Sequence, residues 1–220
     1  MIKALAIKEL RESLGLAAIA ALAMAWQVMN CMGRDPLQLF FGSFVDTNHL
    51  AFVRGDGFYD WAVLAIGAFA ILLGLKQSAW ELQHGTYYYL LHRPLSRRLV
   101  FAIKLAVGAS LVAAVLSAAI LIYGAWAAVP GHLSAPFEWS MTLDSWILAV
   151  ALPLVYLGAF LSGIRPGRWF GTRLAPLAGA MLLVLTACIV PFWWMQVPVL
   201  LLGYLGWLVA IDYYSQTRDY

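Results

Sequence analysis

Between Leu174 and Ile211 the chain carries no charged side chain. A crossing of the hydrocarbon core needs about 20 predominantly apolar residues, so this run is long enough for two crossings and too long for one. Pro191-Phe-Trp-Trp-Met-Gln-Val-Pro198 supplies a break inside it, with tryptophans suited to a membrane–water interface. Further uncharged blocks lie upstream, and alternating barrel-strand patterning is absent. A helical bundle is then the practical way to satisfy the backbone polar groups in lipid. Composition agrees: 63% of residues are hydrophobic and 11% charged, with a mean hydropathy of +0.81. Soluble domains hold roughly 45–50% apolar and about 25% charged residues, which excludes a soluble fold.

The expected architecture is an all-α integral membrane protein with six transmembrane helices. Spans are expected at about 14–32, 60–77, 98–126, 145–163, 174–191 and 197–211, within a single transmembrane domain covering 13–220. Residues 1–12 read as an amphipathic interfacial helix, an elbow on the membrane surface. In it Ile2, Leu5, Ala6 and Leu10 share one face, and Lys8, Arg11 and Glu12 another. A plain extension of span one is the alternative. No small-x-small cleavage site follows, so a secretory signal is not expected. Span two is expected to continue helically through Lys76 and Glu81.

Residues 34–59 form the longest loop, with Asp35, Asp46 and Asp56 among aromatics. It reads as a partly helical external segment tucked onto the bundle. Asp46-Thr-Asn48 begins like a calcium loop but lacks the glycine and terminal glutamate that such a loop needs. Span three carries small residues, including Ala106, Ser110, Ala113 and Ala114, that let helices approach closely in lipid. Pro153 is a candidate kink in span four. Cys31 and Cys188 show no metal or redox spacing. They are either two inert thiols or, since each lies near the outer end of its span, a disulfide.

Basic residues set the orientation. Lys3, Lys8, Arg11, Lys76, Arg93, Arg97, Arg98, Lys104, Arg165, Arg168, Arg173 and Arg218 fall on one side of the six-span arrangement, and only Arg34 and Arg54 on the other. The positive-inside rule puts both termini and the segment after span two in the cytoplasm, with the protein multi-pass in an inner (cytoplasmic) membrane.

Catalysis has little support. His49, His84, His92 and His132 all fall in expected loops, and no zincin helix or Gly-x-Ser-x-Gly elbow occurs. The middles of the spans lack Asp, Glu, Lys, Arg and His, against the usual pattern of ion-coupled transporters. A Gly-x-x-x-x-Gly-Lys phosphate loop is missing, so energy for any driven movement has to come from another subunit.

One polar island interrupts the apolar chain: Glu81-Leu-Gln-His-Gly-Thr-Tyr-Tyr-Tyr-Leu-Leu-His-Arg-Pro-Leu-Ser-Arg-Arg98. Thr86 is placed to cap a short helix that Pro94 stops, and Ser96 to cap span three. Arg97 and Arg98 in that first turn oppose the helix dipole, which points to lipid headgroups or partner carboxylates as their counter-charges. Tyr87, Leu90 and Leu91 present an apolar face suited to a groove on a soluble partner. Read from these residues alone, an aromatic belt with topology-setting arginines is the better account.

The spacing Glu81-x-x-x-Gly85-Thr86-x-x-x-Leu90-Leu91-x-x-Pro94-x-Ser96-Arg97, followed by Lys104, resembles the signature of ABC-2 type transporter permeases. The likeness covers roughly residues 78–105; the triple tyrosine departs from the Thr-Leu-Glu type sequence of many members. The resemblance implies an elbow helix, six spans and a cytoplasmic coupling helix at about 85–91 between spans two and three. It implies an ATPase-coupling segment, 81–98, with Glu81, Gly85, Thr86, Tyr87, Tyr88, Leu90, Leu91, Arg93, Pro94, Ser96, Arg97, Arg98 and Lys104 as its residues. The implied partners are cytoplasmic ABC ATPase subunits, which bind ATP and Mg, and a second permease chain, as homo- or heterodimer. Membrane lipid is expected as surroundings, nucleic acid is not, and the chain itself is expected to hold no cofactor and to be no enzyme. The expected function is a permease subunit of an exporter, the alternative a non-transporting scaffold or sensor subunit that docks an ATPase.

Overall fold

The computed structural model describes residues 2–33, 51–52, 57–84, 96–133, 136–168, 172–190 and 192–217. Among these every regular element is helical, in six main helices. They are α1 (Ile2–Cys31), α2 (Gly57–Gln83), α3 (Arg97–Ala127), α4 (Leu143–Ile164), α5 (Ala175–Ile189) and α6 (Trp193–Thr217). A single 3-10 turn, Trp139–Thr142, leads into α4.

Consecutive helices run up and down. Trp61 Nε1 donates to the Ala23 carbonyl and Lys76 Nζ to the Glu12 carbonyl, which sets α2 antiparallel to α1. Leu5 packs on Val100 and Glu9 meets Lys104, so α1 and α3 rise together. The start of α1 and the end of α6 therefore lie at one end of the bundle, where Arg98 also meets Asp212. Basic and acidic side chains gather at this charged end. The opposite end holds aromatics: Phe52 contacts Phe58, Tyr123 and Phe137 at ring-centroid separations of 4.7–6.0 Å. Ala51 and Phe52 are buried at this end; residues 34–50 and 53–56, where most of the expected loop falls, lie outside the described residues.

The fourth helix is the axis. Every residue from Ala151 to Ile164 is buried, and each of the other helices except α1 packs closely on it. Of its membrane-length stretch 89% is buried within the chain, against 22–39% for the other four long helices. A helix apolar all round is suited to that place. Its neighbours approach through glycine. A Cβ on Gly74 of α2 would meet the Tyr156 carbonyl oxygen at 2.7 Å, and one on Gly158 of α4 would meet Ala180 of α5 at 2.5 Å. Such backbone contact is how packing holds helices together when lipid is as apolar as leucine. The outer surface remains greasy: Leu22, Leu64, Leu202, Leu205 and Val209 are all more than 60% exposed. Five long apolar helices with apolar outer faces are those of a multi-pass membrane protein.

Several details depart from the sequence reading. Residues 2–12 are the first turns of one uninterrupted helix with the first span, Ile2–Cys31. Their inward face is Leu5, Glu9 and Ser13, continuing into Ala17, Ala20, Met24 and Val28, while Ile2 and Leu10 point outward. Among the described residues five helices, not six, have the length and composition to cross a bilayer; α5 has 15 residues. At 1.5 Å per residue it is about 22 Å long, short of the roughly 30 Å hydrocarbon core. The break between α5 and α6 is tighter than the Pro191–Pro198 stretch. Helix resumes at Trp193 and takes in Pro198, whose missing N–H frees only the Trp194 carbonyl in the first turn. Cys31 and Cys188 are thiols and not joined as a disulfide.

Candidate functional site

Helix α2 reaches Glu81 through a π turn, Lys76–Trp80. Widened turns of this kind occur mostly as single insertions in α-helices, often at functional sites. This one lies flat on α4: Ser78 bonds back to the Gly74 carbonyl at 2.6 Å, and Gly163 faces Ser78 with no room for a side chain. The bare backbone of α4 thereby lets the end of α2 press inward, and Gln77, Ser78 and Glu81 are all buried.

What they meet is a buried ion cluster. The ammonium of Lys104, wholly enclosed, donates to Glu9 Oε1 at 2.7 Å and to both carboxylate oxygens of Glu81 at 2.7 Å. Three helices are joined by one cation. An ammonium has three N–H donors, and this one faces three carboxylate oxygens. A hydrogen-bonded chain extends the cluster. Tyr156 Oη donates to Gln77 Oε1 at 2.6 Å, with the Lys104 carbonyl also in reach at 3.2 Å, and Gln77 Nε2 donates to Ser13 Oγ at 3.2 Å. Side chains of α1, α2, α3 and α4 therefore share one polar node at the charged end.

The carboxylates of Glu9, Glu12 and Glu81 come within 4.8 Å of one another, an arrangement with the donor set of a hard cation. Lys104 already supplies the positive charge between two of them, and a metal ion there would face its ammonium. Half-buried Lys8 adds a second cation, 3.4 Å from Glu12. Glu9 Oε2 is buried without a hydrogen-bond partner among the described residues. The group fits an internal brace better than a metal centre.

The expected coupling residues divide into three sets. Glu81 and Lys104 come together, inside the bundle and not on an outer docking face. Ser96, Arg97 and Arg98 are exposed at the start of α3. Ser96 has the extended backbone of a cap, but its hydroxyl makes no cap bond, contrary to expectation; its carbonyl receives the Leu99 and Val100 N–H groups. Arg98 finds its counter-charge within the chain, forking onto Asp212 of α6 at 3.2 and 3.3 Å. Gly85, Thr86, Tyr87, Tyr88, Leu90, Leu91, Arg93 and Pro94 lie outside the described residues. Of the histidines, His84 and His132 stack on Trp80 and Trp126, away from the bundle interior; His49 and His92 lie outside the described residues.

Sequence reasoning missed Glu9, Ser13, Gln77 and Tyr156. The available signal was the spacing of Glu9 and Ser13 with Leu5 and Ala17, four apart on one face of a helix. Arg173, expected only to mark topology, donates to the Ser162 and Gly163 carbonyls at 3.1 and 2.9 Å and so caps α4.

Tyr156→Phe keeps the ring against Gly108 and removes only the hydroxyl, and with it the 2.6 Å bond it donates to buried Gln77 Oε1. The expected cost is about 1–3 kcal/mol, read as a lower unfolding temperature in detergent. An unchanged midpoint means that the hydroxyl carries no part of the node.

No protein-family model matches the chain, and comparisons with curated proteins and with solved structures find no match.

Proposed function

We propose that this chain is the permease subunit of an ATP-driven transporter of ABC-2 type, working as an exporter. The observation that carries the reading is the Glu81–Lys104 ion pair. These two residues bracket the polar island in sequence, and their contact ties together the stalks on either side of it. A partner gripping residues 85–95 would therefore act on α2 and α3 at once, and through Glu9 on α1. Breaking a buried ion pair by losing one partner costs about 3–5 kcal/mol, so the three helices respond to a push as one body.

In this scheme separate cytoplasmic ATPases bind ATP and Mg, and their closure displaces the coupling segment. The helices tilt together, as in other rigid-body switching transitions. Since α4 fills the middle of the bundle, the transport path forms between this chain and a second permease chain, identical or different. Helix α5 serves as the sixth crossing, residues 2–12 as the interfacial entry to the first, and the charged end faces the cytoplasm, in line with the positive-inside rule.

Affinity purification in mild detergent with mass identification of the bound chains tests the proposal. A nucleotide-binding ATPase is expected, and a preparation without one sinks the assignment. Leu90→Asp puts a charge on the apolar docking face and is expected to lower ATPase retention about tenfold or more, since 1.4 kcal/mol suffices for that factor. Membrane insertion should be unaffected. Retention equal to the parent's counts against the docking role. ATP hydrolysis that rises with an added solute in the reconstituted complex separates a transporter from a scaffold or sensor, which shows no rise.

A further inference from the structure

Along the flank where α3 and α6 meet over α4 runs an open groove of about 400 Å³. Leu105, Ala106 and Ala109 form one wall, Leu208 and Ile211 the other, and Leu157 the floor. Its mouth is polar: Arg98 and Asp212, paired to one another, stand at the charged end. From Arg98 to Ala109 the rise along α3 is about 16 Å at 1.5 Å per residue. That is the depth of one leaflet, half of a hydrocarbon core of about 30 Å. The small side chains of Ala106 and Ala109 keep the apolar part open, while the two charges stay at headgroup level.

We propose that this groove binds a phospholipid with a primary-amine zwitterionic headgroup, of the phosphatidylethanolamine type, in the leaflet at the charged end. One acyl chain lies along the apolar walls. The lipid phosphate accepts from the Arg98 guanidinium and the lipid ammonium donates to the Asp212 carboxylate. A lone arginine would favour any phosphate, whereas an arginine beside an aspartate complements a headgroup carrying both charges. The protein pair itself offers little resistance. Its side chains are 68% and 48% exposed, and exposed pairs of this kind are weak enough to exchange partners. A quaternary choline has no N–H to give Asp212, and a glycerol headgroup has no cation at all. This inference needs only a membrane-embedded bundle and does not rest on the permease reading.

The test is native mass spectrometry of the purified full chain, delipidated and given equimolar phosphatidylethanolamine, phosphatidylcholine and phosphatidylglycerol with identical acyl chains. The ethanolamine lipid is expected to be retained about tenfold over the choline lipid, the factor that one charge-assisted hydrogen bond supplies. Arg98→Gln should lower retention of all three lipids, since each carries the phosphate. Asp212→Asn should abolish the preference for the ethanolamine over the choline lipid and leave phosphatidylglycerol the best retained. Ala106→Phe, at an exposed position, should fill the groove and lower retention of all three. Equal retention of the three lipids by the parent chain overturns the proposal, as does an ethanolamine preference unchanged in Asp212→Asn or a retention unchanged in Arg98→Gln. Oxidative cross-linking of Ala106→Cys into a covalent dimer assigns the groove to a second copy of the chain and also overturns it.

Discussion

Replacing Lys104 with methionine is expected to destabilise the protein by about 3–5 kcal/mol, the cost of stripping one partner from a buried ion group. The long apolar stem stays, so little packing is lost; only the ammonium goes. Its loss leaves two carboxylates, Glu9 and Glu81, in a space where Lys104 had contacted both at 2.7 Å. They then lie close together without the ammonium that joined them, and Lys8, 4.0 Å from Glu9, replaces little of it. In detergent the variant should give mostly aggregated material, or unfold well below the parent. The triple variant Glu9→Gln, Glu81→Gln, Lys104→Met distinguishes ionic bracing from mere shape. With no charge left to bury, it should recover most of the loss, because neutral replacements of a buried ion group are often tolerated. Non-additivity among the single, double and triple changes measures the coupling directly. A Lys104→Met protein as stable as its parent contradicts the arrangement described for α1, α2 and α3.

The same cluster shows where sequence reading succeeds and where it stops. Uncharged blocks read as helix are helical: residues 98–126 and 145–163 fall within Arg97–Ala127 and Leu143–Ile164. Length and hydropathy are enough for that, because a bilayer asks only that the crossing be apolar. Which face turns inward is another matter. In water the apolar face of 2–12 would be the buried one. In a greasy environment the outside is as apolar as the inside, so Ile2 and Leu10 are free to face out while Glu9 and Ser13 face in. The usual amphipathic inference thus reverses for polar residues that have partners. Lys104 and Glu81 were legible as members of one motif, yet their mutual contact was not, since 23 positions separate them. Glu9, 95 positions from Lys104, carried no local mark of that pairing. The π turn was equally hidden: Lys-Gln-Ser-Ala-Trp has no signature, and the close approach of Gly163 to Ser78 depends on how two distant helices dock.

Gly74→Leu is expected to be the other severe change, because what opposes it is main chain. A Cβ at this position would lie 2.7 Å from the Tyr156 carbonyl oxygen, 2.8 Å from Ala159 Cβ and 2.9 Å from the Phe160 nitrogen. A side chain in the way can rotate aside; the backbone of α4 cannot, held in its own hydrogen bonds and enclosed by four other helices. To admit even a methyl group, α2 has to move bodily away from α4, and leucine forces it further. Overpacking of well-filled cores costs about 1–3 kcal/mol and occasionally more. The upper part of that range applies here, because separating α2 from α4 also pulls Gln77 away from Tyr156 and loosens the polar node. Gly67 is the internal control, on the same helix and with nothing within 4 Å of the place a methyl group would take. Gly67→Ala should be neutral or stabilise by up to about 1 kcal/mol, the ordinary helix-propensity gain. Heating the three variants and the parent in one detergent and measuring the soluble fraction by size exclusion gives the comparison. The expected order is Gly67→Ala at or above the parent, Gly74→Ala below it and Gly74→Leu lowest. If Gly74→Leu instead tracks Gly67→Ala, the two helices are not in backbone contact, and a push at the charged end would have no rigid path from α2 into the centre of the bundle.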